Sequence, residues 1–423
     1  MKQTSLPKEP ETVPAGLPWT DRFSRKAFVN IMERFENTGI QVRFPEGTTS
    51  HFGPEGSGGA EIHIHRDTFF KRVLLNGEIG FGEGYMDGDW STPDLPRLLA
   101  ALIENLEHIP HMSGSHSRKA AFNLLRALNR FAHWRRRNTR SNSRRNISEH
   151  YDLSNDFYSL WLDRTLTYSS AWFNGSESLE DAQINKYQRL CEKLCLAPGM
   201  RVLEIGCGWG GFSIHAATNF GVEVTAITIS QAQFEKACER VKEAGLEDRI
   251  TVKLCDYRDI QGQFDAIVSI EMLEAVGHKF LPAFFSQCHH LLKESGRVGL
   301  QVIICPDSRY EAMRKSVDWI KKYIFPGGQL PSIKALMDSA NSTSDLYIHH
   351  LESFGLHYAK TLHIWRDGFN KRKDAVMELG FDEVFLRKWN YYLAYCEAAF
   401  ATRNINVTQM ILSRPNNTAF ALE

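Results

Sequence analysis

The stretch "VLEIGCGWGGF", residues 202–212, decides the fold. It begins as an apolar β-strand, turns through Gly206, Gly208, Gly210 and Gly211, and then opens a helical pattern. Glycines at such a turn let the backbone bend tightly and approach a ligand closely. The strand–loop–helix order predicts a nucleotide-binding loop, and a glycine turn with only a structural role is the alternative.

Strands and helices alternate around this loop from Pro198 onward. The β-rich runs are "RVLEIG", "VEVTAITI", "ITVKLC", "FDAIVSI" and "GRVGLQVII". Such alternation predicts a parallel sheet with crossover helices. Residues 310–395 add helices around the loop "YIFPGGQLPS", and "NVTQMILSRP" is expected to be a last strand.

The first part of the chain has a different pattern. An amphipathic helix is predicted over 21–37, and "IQVRF" and "AEIHIH" alternate like strands. Helices are expected at "RDTFFKRVLL", "FGEGYMDGDW" and "PRLLAALIENL", with a Gly-rich turn between the first two. The predicted organisation is a loose tail at 1–20, an α+β domain at 21–107, a basic linker at 108–148 and an α/β domain at 149–423.

Composition limits the class of protein. A chain of 423 residues suits two domains, and 43% hydrophobic with 24% charged residues indicates a globular protein. The eight cysteines show no zinc-site spacing and no disulfide framework, so we expect no metal and a cytoplasmic location. The polar N-terminus lacks the apolar stretch of a secretory signal, and no apolar run has membrane-spanning length.

The residues around the Gly-rich loop discriminate between nucleotide ligands. The spacing is GxGxG rather than the GxGxxG of dinucleotide folds, and Glu204 before the turn would repel a pyrophosphate. The sulfonium and ammonium groups of S-adenosylmethionine would instead be attracted by Glu204. No acidic residue ends the second strand, so Thr228, Ser230 and Gln233 are predicted to bind the ribose, and Tyr257 to stack on the adenine.

Two carboxylates follow the apolar strand in "IVSIEMLEAVGHKF", residues 267–280. A carboxylate buried without a partner is costly. Glu274 is expected at the carboxyl end of this strand, where open α/β sheets bind ligands, although a solvated helix cap is the alternative. Glu271 is interpreted as a helix-start or cofactor-shell group rather than as a base.

A basic segment occupies residues 118–145, with ten Lys or Arg and no acidic residue. Its helical part, "KAAFNLLRALNRFAHW", has one polar and one apolar face. This pattern fits binding to an anionic membrane surface, or equally a linker helix packed against its own domains. No RNA-binding motif accompanies the arginines, so a nucleic-acid partner is not expected.

Several motifs together carry a family resemblance. They are "GEGYMDGDW", "EHYDLSNDFYSLWLDRTLTYSSAWF", "LEIGCGWGGF", "SIEMLEAVGHKF", "KKYIFPGGQLPS" and "YYLAYCEAAFATRNI". In this order they resemble the cyclopropane-fatty-acyl-phospholipid synthase family, and the likeness runs from about residue 70 to 415. The resemblance implies a Rossmann-like class I methyltransferase domain with helical insertions, plus a smaller N-terminal α+β domain.

The resemblance also implies site residues. S-adenosylmethionine is assigned to Tyr168, Ser169, the Gly206–Gly211 loop, residues 228–233 and Tyr257. A bound bicarbonate ion is placed among Glu274, Tyr358 and the backbone of Ile303. Cys396 matches the cysteine often described as catalytic, but it lies in the apolar helical stretch "LAYCEAAF", where a buried cysteine is usually a small core residue, and methyl transfer to an alkene needs no thiolate. Bacterial members of the family have a cysteine and a histidine where this chain has Ser170 and Gln301, although both side chains can still hydrogen-bond an oxyanion.

The implied activity is transfer of a methylene carbon from S-adenosylmethionine to the cis double bond of an unsaturated phospholipid acyl chain, which forms a cyclopropane. The changed pocket leaves two alternatives open: methyl or methylene branching, and a lipid-binding protein without catalysis. A peripheral, membrane-associated protein is expected, and a homodimer is left open.

Overall fold

The computed structural model describes residues 18–54, 59–106 and 154–419, which fall into two compact units, Met1–Phe122 and Asn123–Glu423. The whole predicted linker 108–148, which includes the basic segment 118–145, lies outside the described residues, and so does most of the predicted tail. The first helix begins at Trp19, close to the predicted end of the tail.

The first unit contains a four-stranded sheet in the order β2-β1-β3-β4. Strand β1 pairs antiparallel with β2 and parallel with β3. The described elements are α1 (Trp19–Met32), β1 (Ile40–Arg43), β2 (Thr49–Phe52), β3 (Ala60–Ile64), α2 (Thr68–Met86), β4 (Trp90–Ser91) and α3 (Leu95–Leu106). This is the α+β unit that the sequence predicts.

Two details of this unit differ from the prediction. The two predicted helices "RDTFFKRVLL" and "FGEGYMDGDW" are halves of α2, broken at Gly77, whose φ of 55° is non-helical. The second half ends at Met86, because Gly88 takes a positive φ of 73° and turns the chain. Trp90 therefore starts β4 and its indole donates a hydrogen bond to the Phe81 carbonyl (2.8 Å), instead of ending a helix.

The second unit is built on a seven-stranded sheet in the order β10-β11-β9-β8-β5-β6-β7. Strands β5 to β9 are parallel to one another, and β11 runs antiparallel between β9 and β10. The strands are β5 (Arg201–Ile205), β6 (Glu223–Thr228), β7 (Ile250–Leu254), β8 (Phe264–Ile270), β9 (Leu292–Ile304), β10 (Tyr347–Ser353) and β11 (Asn406–Ser413).

Helices cover this sheet and extend beyond it. They are α4 (Asn155–Ser159), α5 (Leu179–Lys193), α6 (Gly211–Phe220), α7 (Gln231–Glu243), α8 (Leu281–Leu291), α9 (Asp307–Lys315), α10 (Trp319–Tyr323), α11 (Ile333–Asn341), α12 (Gly355–Lys371), α13 (Lys373–Glu378) and α14 (Glu383–Ala401). Within the described ranges, no helix is both long and apolar enough to cross a membrane.

The central strands are apolar on both faces because helices cover both faces of the sheet. On β5, Leu203 belongs to one core cluster and Val202 to the cluster on the opposite face. Ile267 and Val268 divide in the same way on β8. The parallel register brings the carboxyl ends of β5 to β9 to one edge of the sheet, where the site lies.

Replacing a central strand residue should destabilise the second unit. Leu300 of β9 is fully buried, so Leu300→Ala is expected to lower the free energy of unfolding by about 2–5 kcal/mol through lost burial and a residual cavity. The control is Leu254→Ala at the end of edge strand β7, where the side chain is 41% exposed and the change should stay within about 0.5 kcal/mol. Urea denaturation measures both, and equal effects would contradict the placement of Leu300 in the core.

Candidate functional site

A cavity of about 350 Å³ lies at the carboxyl edge of the parallel strands. All five contribute, through Ile205 of β5, Thr228 of β6, Cys255 after β7, Ile270 of β8 and Ile303 of β9. Helices α12 and α14 close another side of it. Ligands of open α/β sheets bind at this edge, so the cavity is the candidate site.

The Gly-rich loop forms one wall of the cavity. Gly206, Gly208 and Gly210 all have positive φ, of 82°, 53° and 83°. The backbone N–H groups of Gly206 and Cys207 both donate to the Ile227 carbonyl (2.9 and 3.0 Å), which ties the loop to β6. A Cβ on Gly208 would project into open space, and Gly208 lines the cavity, so this residue leaves room for a ligand.

Glu204 lies in β5 beneath the loop, and only 3% of it is exposed. The Ser213 hydroxyl donates to its Oε2 atom. Burial raises the pKa of Glu204 to about 8, and Ser213 and the charge of Lys186 oppose that rise. A cationic ligand group in the cavity would favour the ionised form, as the sequence predicts for the ammonium or sulfonium of S-adenosylmethionine.

The residues predicted for the ribose form one hydrogen-bonded group. Thr228 Oγ1 donates to Gln233 Oε1 (2.9 Å), and both residues line the cavity. Ser230 is the N-cap of α7, where its hydroxyl accepts from the Gln233 backbone N–H (3.3 Å), and it does not line the cavity. Tyr257, predicted to stack on the adenine, lines the cavity after β7 and packs edge-on against Phe284.

Tyr168 and Ser169, also assigned to the cofactor by resemblance, line the cavity too. Tyr168 shares a hydrogen bond with the hydroxyl of Tyr392 (2.6 Å). Ser169 Oγ accepts from Lys186 Nζ (2.8 Å), and the Ser169 carbonyl accepts from the amide of Gln183 (2.9 Å). Two polar side chains of α5 thus hold the segment around Ser169 in place.

Glu271 does not start a helix and its carboxylate reaches into the site. Its φ of 51° is left-handed, which is uncommon for a side chain other than glycine. Oε1 accepts from the Ser170 backbone N–H (2.8 Å) and from Gln301 Nε2 (2.8 Å), and Oε2 accepts from the Tyr358 hydroxyl (2.7 Å). Burial raises the pKa of Glu271, while these three bonds and the charge of Lys186 oppose the rise.

Glu274 is placed differently, in a short 3₁₀ turn after β8. Its Oε1 accepts from the backbone N–H of Ile303, and its Oε2 is buried without a hydrogen-bond partner among the described residues. Burial, and then repulsion from Glu271, raise the pKa of Glu274 to about 8. Burial and the neighbouring carboxylate thus favour the neutral form of Glu274.

The predicted bicarbonate ligands thus bind the protein's own carboxylates. Tyr358 and Gln301 donate to Glu271, and the Ile303 backbone donates to Glu274. Ser170 and Gln301 do not line the cavity, because Glu271 stands between them and its interior.

The remaining wall of the cavity is mainly apolar. It is formed by side chains from α9, α10, the loop before α11 and α14, among them Met313, Ile320, Phe325, Leu330, Ala399 and Phe400. Cys396 also lines this wall, and burial raises the pKa of its thiol far above the ordinary value. A neutral thiol is a poor nucleophile, so the predicted catalytic role of Cys396 finds no support in its protonation state.

Sequence reasoning missed one charged residue at the site, Lys186, and interpreted another, Glu271, differently from what its contacts indicate. Lys186 is fully buried in α5, and burial lowers its pKa to about 7 while the charge of Glu271 opposes that fall. In the sequence it looks like one of many lysines on an amphipathic helix. Glu271 was interpreted as a helix-start or cofactor-shell group rather than as a base. The signal that could have corrected this was the pair of departures at Ser170 and Gln301, which line the far side of its carboxylate.

Comparison with known proteins adds an independent set of observations. Residues 138–410 match the family described as mycolic acid cyclopropane synthetase, and residues 27–106 match a domain of unknown function. The chain is 38% identical over 410 residues to the tuberculostearic acid methyltransferase UfaA1 of Mycobacterium tuberculosis, covering 92% of this chain and 91% of that protein. It is 39% identical over 366 residues to the cyclopropane-fatty-acyl-phospholipid synthase of Escherichia coli, covering 85% and 89%.

Solved structures agree with these sequence matches. The mycolic acid cyclopropane synthase CmaA1, complexed with SAH and CTAB, superposes with a TM-score of 0.60 at 32% identity. The match covers 64% of this chain and 98% of that one. The Rossmann-like methyltransferase fold and the additional N-terminal domain predicted from the sequence are confirmed.

The open space at Gly208 gives a direct test of the cofactor wall. We expect Gly208→Val to abolish binding of S-adenosylmethionine, because its side chain would project into the cavity. Gly199→Val is the matched control, since Gly199 also has a positive φ (83°) and open space around a Cβ but does not line the cavity. Both variants carry similar backbone strain. Calorimetry that shows equal cofactor affinity in the two would remove the loop from the binding site.

Proposed function

The chain belongs to the mycolic acid cyclopropane synthetase family, and on that premise we propose that it forms cyclopropanes on the unsaturated acyl chains of phospholipids. The family resemblance predicted from the sequence is confirmed, and the protein is an S-adenosylmethionine-dependent methyltransferase that acts on lipids. One observation carries the finer proposal: a single cavity is lined by the Gly-rich loop, by many apolar and aromatic side chains and by the buried carboxylates of Glu271 and Glu274.

The chemistry explains why such a cavity is needed. An alkene is a weak nucleophile, and its methylation leaves a carbocation. Water would trap that cation, so the acyl chain must react in an apolar chamber that excludes solvent. Ring closure then requires loss of a proton from the new methyl group to a base held beside it.

The residues of the loop side fit S-adenosylmethionine. When bound, this cosubstrate supplies an electrophilic methyl group on a sulfonium. Glu204 would hold a cationic group beneath the loop, Gly208 leaves space, and Thr228 with Gln233 offers hydrogen-bonding groups at the end of β6. The buried carboxylate of Glu204 is the structural observation that favours a cationic nucleotide over a pyrophosphate.

The acyl chain is proposed to lie against the apolar wall. Aromatic rings stand around the carboxylates, with Tyr358 stacked on Phe400 at 4.4 Å between ring centroids. Aromatic faces can stabilise a cation in a desolvated site. The same rings exclude water, which is their commoner role in proteins.

The base is the point on which the sequence and the geometry differ. The family resemblance predicts a bicarbonate ion that is oriented by Glu274. In this chain the donors expected around that ion are bonded to Glu271 and Glu274, and Glu274 carries one carboxyl oxygen without a partner among the described residues. Bicarbonate therefore remains a prediction that rests on the family resemblance. The acidic groups that line the cavity at this point are the protein's own carboxylates, Glu271 and Glu274.

Methyl branching is the second candidate activity. It is favoured by the similarity to a protein named as a tuberculostearic acid methyltransferase, over nearly the whole of both chains. The cation formed by methylation could lose a proton from a position other than the methyl group, which gives a branched product. The position of the base relative to the new methyl group decides between the two outcomes.

A phospholipid substrate requires access to a bilayer. We propose that the basic segment 118–145 supplies it by binding anionic lipid headgroups, which makes the protein peripheral to the membrane. The proposal rests on the ten basic residues and the amphipathic pattern of the sequence, since this segment lies outside the described residues.

The activity is tested by methyl transfer to defined lipids. We expect the purified protein to transfer ¹³C from the methyl group of S-adenosylmethionine to vesicles of phosphatidylglycerol with cis-unsaturated chains. Vesicles with saturated chains of equal length are the matched control and should gain no label. Mass spectrometry should show one added CH₂, and the product should resist bromine, because a cyclopropane has no olefin.

Each other outcome of this assay points to one alternative. A labelled product that still reacts as an olefin would favour methyl or methylene branching. Binding of the unsaturated vesicles without label in the lipid would favour a lipid-binding protein and contradict the proposed activity.

The membrane role has its own test. Replacing Arg135, Arg136, Arg137, Arg144 and Arg145 with Gln should weaken binding to anionic vesicles, because basic residues near such a surface contribute about 1 kcal/mol each. Replacing the same five with Lys keeps the charge and should preserve binding. Vesicle sedimentation at low and high salt measures both, and binding that ignores the Gln substitutions and the salt would leave only the linker interpretation.

A further inference from the structure

Three hydrogen bonds hold the carboxylate of Glu271 in the site. In two of them the donor and the acceptor are fixed by the chemistry of the partner. The Ser170 backbone N–H can only donate to Oε1. Gln301 also presents its amide N–H to Oε1, because its own carbonyl oxygen accepts from Gln409 Nε2 (3.1 Å) and its second N–H points to the Ser170 carbonyl (3.2 Å). Oε1 is therefore bound by two fixed donors and must remain an acceptor.

The other carboxyl oxygen is in a different situation. Oε2 contacts the Tyr358 hydroxyl (2.7 Å), and a hydroxyl can donate or accept. If Oε2 gains a proton, the Tyr358 hydroxyl can rotate and accept it without a loss of the contact. Oε2 is thus the one carboxyl oxygen of Glu271 that can change its protonation state within the observed hydrogen bonds.

The backbone also directs Glu271 toward the cavity. Its N–H donates to the Gln301 carbonyl (2.7 Å), which continues the β8–β9 pairing by one residue, and its left-handed φ of 51° then turns the chain. Strained backbone conformations of this kind persist where the surroundings hold them, and they cluster at functional sites. The conformation places the Glu271 side chain between β9, α12 and the segment of Ser170.

The charges around Glu271 favour one negative charge at this point. Lys186 is buried, and its electrostatic attraction to Glu271 supports the ionised carboxylate. Glu274 is the competing anion, and burial together with Glu271 raises its pKa to about 8. Three donors hold the Glu271 carboxylate and one holds Glu274, whose Oε2 has no partner among the described residues, so these contacts favour a negative charge on Glu271 over one on Glu274.

We propose that Glu271 is the proton acceptor of this enzyme and takes the place of an external bicarbonate ion. The inference rests on the proposed function and deepens it, since it assigns the base for the same site. It follows from the observation that Ser170, Gln301 and Tyr358, three groups expected around such an anion, all bind the carboxylate of Glu271.

The step balances in atoms and electrons. The π pair of the alkene forms the first C–C bond to the methyl carbon, the C–S pair leaves with sulfur, and the neighbouring alkene carbon becomes cationic. Glu271 Oε2 then takes a proton from the new methyl group, and the released C–H pair closes the second C–C bond to the cation. The carboxyl group of Glu271 later returns the proton to solvent, so no other reactant is needed.

The test compares bicarbonate binding and turnover in the wild type and in three variants of the full chain. Glu271→Gly removes the carboxylate, suits the left-handed backbone and leaves a space beside the donors of Ser170, Gln301 and Tyr358. Glu271→Gln fills that space but cannot accept a proton at neutral pH. Glu247→Gln, an exposed position, is the matched control for loss of a carboxylate.

Binding is measured first, by NMR with ¹³C-labelled bicarbonate, and does not depend on the lipid. We expect no binding to the wild type or to Glu271→Gln, and binding to Glu271→Gly. Calorimetry with S-adenosylmethionine verifies that each variant is folded. Bicarbonate binding by the wild type at this site, or its absence from a folded Glu271→Gly, would overturn the inference.

Turnover is then measured as methyl transfer to unsaturated vesicles in buffer stripped of carbonate and in buffer with added bicarbonate. The wild type and Glu247→Gln should be equally active in both. Glu271→Gln should lose about 10²–10⁴-fold in both, the usual contribution of a positioned base. Glu271→Gly should lose as much in stripped buffer and regain activity with bicarbonate.

The two possible failures are distinguishable. A wild type that transfers methyl groups only with bicarbonate, or a Glu271→Gln variant with wild-type turnover, would overturn the role of Glu271 and leave the proposed function intact. A wild type that methylates no lipid in either buffer would contradict the proposed function, while the binding measurement would still decide whether Glu271 excludes bicarbonate.

Discussion

The architecture of the site depends on a buried carboxylate that is held by three hydrogen-bond donors at the end of β8. Glu271 connects the segment of Ser170, strand β9 through Gln301 and helix α12 through Tyr358. Each of these partners comes from a different part of the chain. The carboxylate therefore holds three segments of the cavity wall together and also places a charged group there. A buried charge is tolerated only when hydrogen bonds and an opposite charge support it, and Lys186 supplies that charge.

The cavity that Glu271 lines has two chemically different parts. The loop side carries the polar groups suited to a cationic nucleotide, with Glu204 buried beneath the loop. The far side carries apolar and aromatic side chains suited to an acyl chain. Glu271 and Glu274 line the same cavity, in the segment that follows the central strand β8. In this arrangement a carbocation would form next to a negative charge and away from bulk water, which is what ring closure requires.

Much of this could be predicted from residue patterns, and the failures have physical causes. The loop at 206–211 and the buried parallel strands give strong local signals, because glycine spacing and apolar runs are set by backbone geometry. Strand β10, "YIHHLES", was missed because an exposed edge strand needs no alternating apolar pattern. The contacts of Glu271 could not be predicted because a left-handed backbone at a glutamate has no sequence signature. The position of Lys186 could not be predicted because its burial depends on packing of α5 against the sheet.

The most direct test of the account is a count of deuterium in the product formed from S-adenosylmethionine with a CD₃ group. The central claim is that the site removes one proton from the transferred methyl group and closes a ring. The account predicts a lipid product that retains two deuterium atoms and contains no double bond at the reacting carbons. A product that retains three deuterium atoms would show that the methyl group loses no proton, and would contradict the role of the buried carboxylate as its base.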